Sequence, residues 1–435
     1  MIQSKIKNIF KFVFEEIKPY FSGQQDIKSN KIQEMSNLYL LNGETIIILK
    51  AKNDTKAFNI KHAIPLIYHN QIPIYFNIIE NKSNKIENYI IYDDKNAPNK
   101  LLNIKISSMK KNESITLHFF YSVLVKNNNY KDLPVYKKIP NENELQEDIK
   151  KWLTPTKSIQ ANNIFLKLKA LFLKPRNKNL IALTKRTCFF SCYHRLFLGL
   201  LRKYIEETPI LHNLFLPRKY WTGLNDAISY HFLGGLCGGK ANYETALLRC
   251  NNIPTRVLTT TTMYYGEKKW IDAQHFIIEF YCPDYGWITA MSGRMPYQPK
   301  NFIILRINYP EDENIAGNGL SYYGGTLPWF WIDNPNIDID FPEKYISYKR
   351  MKGSGVPAVC GWIEKKITVN DAIAEEILTL TKKAWEMNMQ YLSKVNKEKI
   401  FKEGQQIQKK IIEYFKQSDI EKCIEQLHFL LKNQD

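Results

Sequence analysis

No stretch of this sequence runs to about eighteen consecutive apolar residues, so no membrane-spanning helix is expected. Nor does the amino terminus have the unbroken apolar centre and small-residue cleavage site of an export signal. Met1–Lys18 instead sets Ile6, Ile9, Phe10, Phe12, Val13, Phe14 and Ile17 around Lys11, Glu15 and Glu16. That is an amphipathic helix, with residues 1–35 forming helix and linker. Cysteine is too sparse for a disulfide framework: seven residues, an odd number with no regular spacing, point to reduced thiols and a cytoplasmic location. No internal repeat is evident. No nucleic-acid-binding motif accompanies the net charge of +18. Its lysines are scattered, which reads as a solvated surface with no nucleic-acid partner.

Metal-ligand patterns are also missing. Cys188, Cys192 and His194 form a C-x3-C-x-H cluster, but no second ligand pair follows, so they read as small buried thiols. The run Glu311-Asp312-Glu313 has no calcium-loop spacing and reads as a solvated loop. No metal and no organic cofactor is expected. Gly317-Asn318-Gly319 and Tyr322-Tyr323-Gly324-Gly325, running into Trp329-Phe330-Trp331, read either as an aromatic lid or as a surface loop ending in a packed strand.

What is present begins with 44% hydrophobic and 13% aromatic residues, enough for a folded chain of two or three domains. Ile115, Leu117, Phe119, Tyr121 and Val123 alternate with Thr116, His118 and Ser122, and Leu102, Ile104 and Ile106 alternate before them. Asn53–Asp54, Asp93–Asp94 and Lys111–Asn112 supply turns. This pattern predicts a β-sandwich over residues 36–140. Residues 145–350 read as an α+β core, with helical patterning first and strands rich in β-branched and aromatic residues over 256–306. Residues 356–435 return to helical spacing, with Thr368/Asp371 and Ser418/Glu421 as capping boxes and Ile373, Ile377, Leu380, Ala384, Ile424, Leu427 and Leu431 as packing faces.

The chemistry concentrates in Gly234-Gly235-Leu236-Cys237-Gly238-Gly239-Lys240-Ala241, which runs into a helix ending before Asn251-Asn252-Ile253-Pro254. Cys237 falls at that helix's start, where unpaired N–H groups and the positive dipole end favour a thiolate. Glycines on either side leave room for a substrate backbone. His275, 38 residues on, lies in a strand-like run that leads through the turn Pro283–Gly286 to Trp287. An imidazole facing such a thiolate would hold its charge and protonate a leaving group.

The order GGLCGGKANYETALLRCNNIPTRV, AQHFIIEFY, PDYGW resembles the transglutaminase-like superfamily, relatives of papain-like cysteine proteases. The resemblance is strong over about residues 220–295 and reaches back toward Trp152. It implies Cys237 as nucleophile, His275 as base, and acyl transfer or hydrolysis at peptide or glutamine amide bonds through a thioester, with a protein or peptide as substrate. The third member of the pattern, an Asp four residues past the turn Trp, is Met291 here, which cannot accept the imidazole N–H. Thr289 or Ser292, or a backbone carbonyl, would have to orient the ring. The Cys237 backbone N–H would form part of the oxyanion hole, with Trp221 or Asn225 as a second donor. The competing reading is a catalytically impaired protein-binding module that keeps the fold.

Overall fold

The computed structural model describes residues 35–81, 84–94, 98–126, 135–192, 226–234, 237–263, 274–290, 302–316, 330–332, 334–340, 358–392 and 398–432. The amphipathic segment 1–18, Trp221, Asn225, Met291, Ser292, His194 and the Gly317–Gly325 loop lie outside them. By contacts the chain divides into Met1–Met35 and Ser36–Asp435.

The alternating runs form strands as expected. Strands β1 (Met35–Ala51), β6 (Ser114–Lys126) and β3 (Gln71–Glu80) make one antiparallel sheet; β2 (Phe58–Ala63), β5 (Lys100–Ile106) and β4 (Ile86–Asp93) make another. Their facing side chains, among them Leu41, Ile47, Leu49, Ile60, Ile104, Leu117 and Phe119, share one buried cluster, as in a two-sheet packing.

The two sheets are not confined to residues 36–140. Strands β12 (Ile337–Asp340) and β13 (Ala358–Asn370) pair with β1, and β11 (Phe330–Ile332) pairs with β2. Both sheets therefore draw strands from after the α+β core, and the region beginning at 356 opens with a strand. Of the two readings of the aromatic run, lid or packed strand, Phe330–Ile332 take the second as β11, and Phe330 is buried in the cluster shared by the two sheets.

Helices α6 (Asp371–Leu392), α7 (Glu398–Gln417) and α8 (Ile420–Lys432) bury Ala374, Ile377, Leu378, Ile411, Phe415, Leu427 and Leu430. These pack on Leu38, Leu40, Ile72, Ile74 and Leu124, the outer face of the first sheet. Covered on both faces, β1 is buried at nearly every position from Leu38 to Ile47 instead of alternating. The caps lie near the expected boxes but on other residues. Asn370 Oδ1 accepts the Ile373 N–H at 2.9 Å, and Asp419 Oδ1 accepts the Lys422 N–H at 3.3 Å.

The α+β core is a separate layer pair. Helix α1 (Ile164–Leu173), helical residues 180–192 (α2), α3 (Ala227–Leu233) and α4 (Cys237–Arg249) pack on an antiparallel sheet in the order β10-β7-β8-β9. These strands are β7 (Thr255–Thr262), β8 (Gln274–Cys282), β9 (Gly286–Ala290) and β10 (Phe302–Asn308). Helix α5 (Pro310–Ala316) follows.

Strand β10 is an edge, and Leu66, Gln71 and Asn99 close it. The Leu66 N–H donates to the Ile304 carbonyl at 3.2 Å. The Gln71 side-chain amide brackets Ile304, donating to its carbonyl at 2.9 Å and accepting its N–H at 2.7 Å. Asn99 does the same to Ile307, at 2.8 and 2.9 Å. In a regular strand, outward groups recur every second residue. Here they are three apart, and the bulge between Ile304 and Arg306 accounts for the extra residue.

Candidate active site

The position of Cys237 is built by two successive helices, the first ending at a glycine. Asp226 caps α3, accepting the Ser229 N–H at 2.9 Å. Gly234 ends that helix at φ 67°, a conformation that favours residues without a Cβ. The chain then enters α4, whose first residue is Cys237, half-buried, with no acidic side chain in that first turn. One turn on, Lys240 is buried and pairs with buried Glu244, which also accepts the Ser191 hydroxyl. Burial pulls the Lys240 pKa down, but Glu244 outweighs it and the ammonium is held above its usual range. The two charges of the pair compensate each other.

The far end of α4 is clamped. Buried Arg249 reaches Glu313 with two bonds, Nη1 to Oε2 at 2.9 Å and Nη2 to Oε1 at 2.7 Å. It also donates to the carbonyls of Thr255 at 3.0 Å and Thr154 at 2.8 Å. This corrects the solvated-loop reading of Glu311–Glu313. The run is α5; Glu313 is buried against Arg249, and Asp312 binds Arg306 at 2.8 Å.

From Arg249 the chain turns within five residues into β7. α4 rises about 18 Å from Cys237 to Arg249, and β7 covers about 17 Å from Thr255 to Thr260. Thr260 is the register partner of His275 on β8. The Cys237 end of the helix and the second residue of β8 thus lie toward the same end of the layers. His275 is half-buried; its ring stacks on Phe302 at 5.5 Å, and its carbonyl accepts the Thr260 hydroxyl at 3.0 Å.

Strand alternation adds a constraint. Phe276, Ile278, Phe280 and Cys282 pack with α4 residues Ala241, Ala246, Leu247 and Leu248. His275 has the opposite phase, that of Ile277, which packs with Leu258, Phe302, Ile304 and Trp152 on the other face. That face also carries a charged cluster which the sequence did not disclose. Fully buried Glu279 receives Tyr68 Oη at 2.6 Å and Arg256 Nε at 3.0 Å, and binds His69 Nε2 at 2.7 Å. Arg256 lies 3.8 Å from the Trp287 ring centroid. Burial pushes the Glu279 pKa up, but Arg256 and His69 win and hold it at about 2. A weak signal was available: Arg256 and Glu279 fall on register-paired strand positions once β7 and β8 are set antiparallel.

Thr289 pairs with Glu279 on β9 and is fully buried. It shares the His275 phase but stands four residues along, about 13 Å of strand, beyond direct reach of a hydroxyl to that ring. The other sites expected from sequence, Ser292, Trp221 and Asn225, fall outside the described residues. Among the described residues no group of three His, Cys, Asp or Glu side chains could hold a metal ion. Three other thiols are held protonated by burial: Cys250 and Cys282 near pKa 11, and Cys423 near 12.

Residues 218–291 match the family model of the transglutaminase-like superfamily. This segment is similar to a transglutaminase-like core. The matched segment contains Cys237 and His275 and ends at Met291, where the acid of the pattern is absent. The crystal structure of a proposed cysteine protease from Cytophaga hutchinsonii is similar at a TM-score of 0.46 and 14% identity, covering 75% of this chain and 98% of that one. No curated protein matches the chain. The transglutaminase-like core sits within a mixed α and β chain whose sheets are antiparallel, and no helix among the described residues is long and apolar enough to cross a membrane.

Proposed function

We propose that this chain is a cysteine enzyme that transfers or hydrolyses acyl groups at peptide or glutamine side-chain amides. The Cys237 thiolate attacks the amide carbonyl, and the tetrahedral oxyanion forms beside the N–H groups at the start of α4. As the C–N bond breaks, the His275 imidazolium gives its proton to the departing amine, leaving a thioester on Cys237. The neutral imidazole then takes a proton from water or an amine as that nucleophile displaces the thiolate. Ser292, or a backbone carbonyl, is the proposed partner for the second ring nitrogen, since Thr289 stands too far along its strand.

The observation that carries this reading is Cys237 in the first turn of α4, with His275 toward the same end of the sheet that α4 covers. The phase of His275 sets a condition on it: the imidazole must meet the thiol around the strand's end, past the body of the helix. If it does not, the alternative gains ground, a binding module that keeps the fold without the chemistry, which Met291 also favours.

Thiol reactivity separates the two. Intact-mass analysis after limiting iodoacetamide at mildly acidic pH should find a single adduct on Cys237. His275→Ala should slow that labelling at neutral pH by tenfold or so without moving the melting temperature. A Cys237 that labels no faster than Cys250, or a rate indifferent to His275, would sink the enzyme reading.

A further inference from the structure

Helix α1 is apolar on two sides. Leu166, Ala170 and Leu173 face inward and are buried. Ile164, Phe165, Leu168, Leu171 and Phe172 point the other way, and each is at least half exposed. At about 100° per residue these five fall within an arc of roughly 120°. Lys167 flanks the arc on one side and Lys169 on the other. The Lys169 ammonium lies 3.5 Å from the Phe190 ring centroid and 5.5 Å from that of Phe172, so its stem lies along the apolar surface. Phe232 of α3, also half exposed, extends the patch by packing edge-on against Phe165 at 5.3 Å. Six such side chains present roughly 700 Å2, above the few hundred Å2 that an isolated soluble surface ordinarily leaves open.

The chain segment that carries α1 has charge of one sign, although Asp226 caps the neighbouring α3. Between Asp148 and Glu206 the sequence contains thirteen Lys and Arg and no acidic residue. Lys167, Arg176 and Lys178 are exposed close to α1. Protein-binding hot spots favour Trp, Tyr and Arg in pockets. A convex strip of Ile, Leu and Phe, rimmed by lysines and set in an acid-free segment, matches what an interfacial helix needs: an apolar face for the acyl boundary and cations at headgroup level.

We propose that α1 docks the protein on an anionic lipid surface, with Phe165, Leu168, Leu171 and Phe172 entering the acyl boundary and Lys167, Lys169, Arg176 and Lys178 meeting the headgroups. This stands independently of the Cys237 chemistry. The full chain should co-sediment with vesicles of three parts phosphatidylcholine to one part phosphatidylglycerol at 0.1 M salt. Binding should fall at least tenfold on pure phosphatidylcholine, and also in 0.5 M salt. Leu168→Gln with Phe172→Gln should lower binding to the mixed vesicles at least tenfold, and Lys167→Glu with Lys178→Glu should do the same. Unchanged melting temperature and Cys237 labelling rate in both variants would separate lipid docking from damage to the core. Full chain left in the supernatant with mixed vesicles overturns the proposal, as does equal pelleting of the variants. Concentration-dependent self-association without lipid binding, abolished by the apolar double variant, would assign the face to a second copy and overturn it as well.

Discussion

At the scale of single residues, burial decides which titratable groups are silent and which respond to pH. His62 is fully buried, stacked on Phe119 at 4.3 Å with Phe330 edge-on at 6.3 Å. Burial lowers its pKa from the ordinary 6.5 to about 3. The unfolded chain takes up this proton below about pH 6.5 and the folded one resists it until about 3, so stability falls as pH drops through that window. Glu279 adds a second loss lower down: its folded pKa near 2 gives stability that is complete above the usual carboxylate range and disappears as pH falls toward 2. His62→Phe should therefore flatten the denaturation midpoint between pH 6.5 and 4.5, where the native chain loses on the order of a few kcal/mol, and leave the steeper fall below pH 4 in place. Identical pH profiles for the variant and the native chain would exclude His62 as the source. None of this was readable from composition. The helix start at Cys237 and the strand carrying His275 were readable from the sequence, because glycines and β-branched runs are local signals. The partners of Glu279 were not, because Tyr68 and His69 lie more than 200 positions away.

At the scale of elements, sequence periodicity showed which face of each strand or helix was apolar, but not what would cover it. The α4 helix was legible from Ala241, Leu248 and the stop at Pro254; its anchor was not. Glu313 read as part of a solvated loop, yet its side chain and that of Arg249 are almost wholly out of water. Removing one member of such a pair leaves the other uncompensated, at a cost of about 3–5 kcal/mol. Arg249→Met should lower stability by that amount, and Glu313→Leu by a similar one. The double variant should be no worse than either single, since it removes both charges together. Strictly additive losses in a denaturant titration would show that the two act separately.

At the scale of the molecule, the chain leaves the first two sheets, builds the sheet and helices around Cys237 and returns to complete both of the first sheets. Strand patterning near residue 330 was visible in the aromatic run, but its pairing with β2 was not, because register depends on a partner some 270 positions earlier. The Gln71 and Asn99 side chains then stand in for a missing neighbour along β10. Gln71→Leu with Asn99→Leu should lower the melting temperature by several degrees and make the loss of sandwich and core signals coincide less well. An unchanged, single transition would show that these amides contribute little. The consequence reaches to how the catalytic half could be isolated or inherited. A fragment beginning near residue 145 would hold every residue of the proposed chemistry, yet it would present β10 as an open ladder ready to zip onto its own copies. Such a piece would grow into aggregates before it could be assayed, and a gene rearrangement that moved the core without residues 64–99 would inherit the same defect.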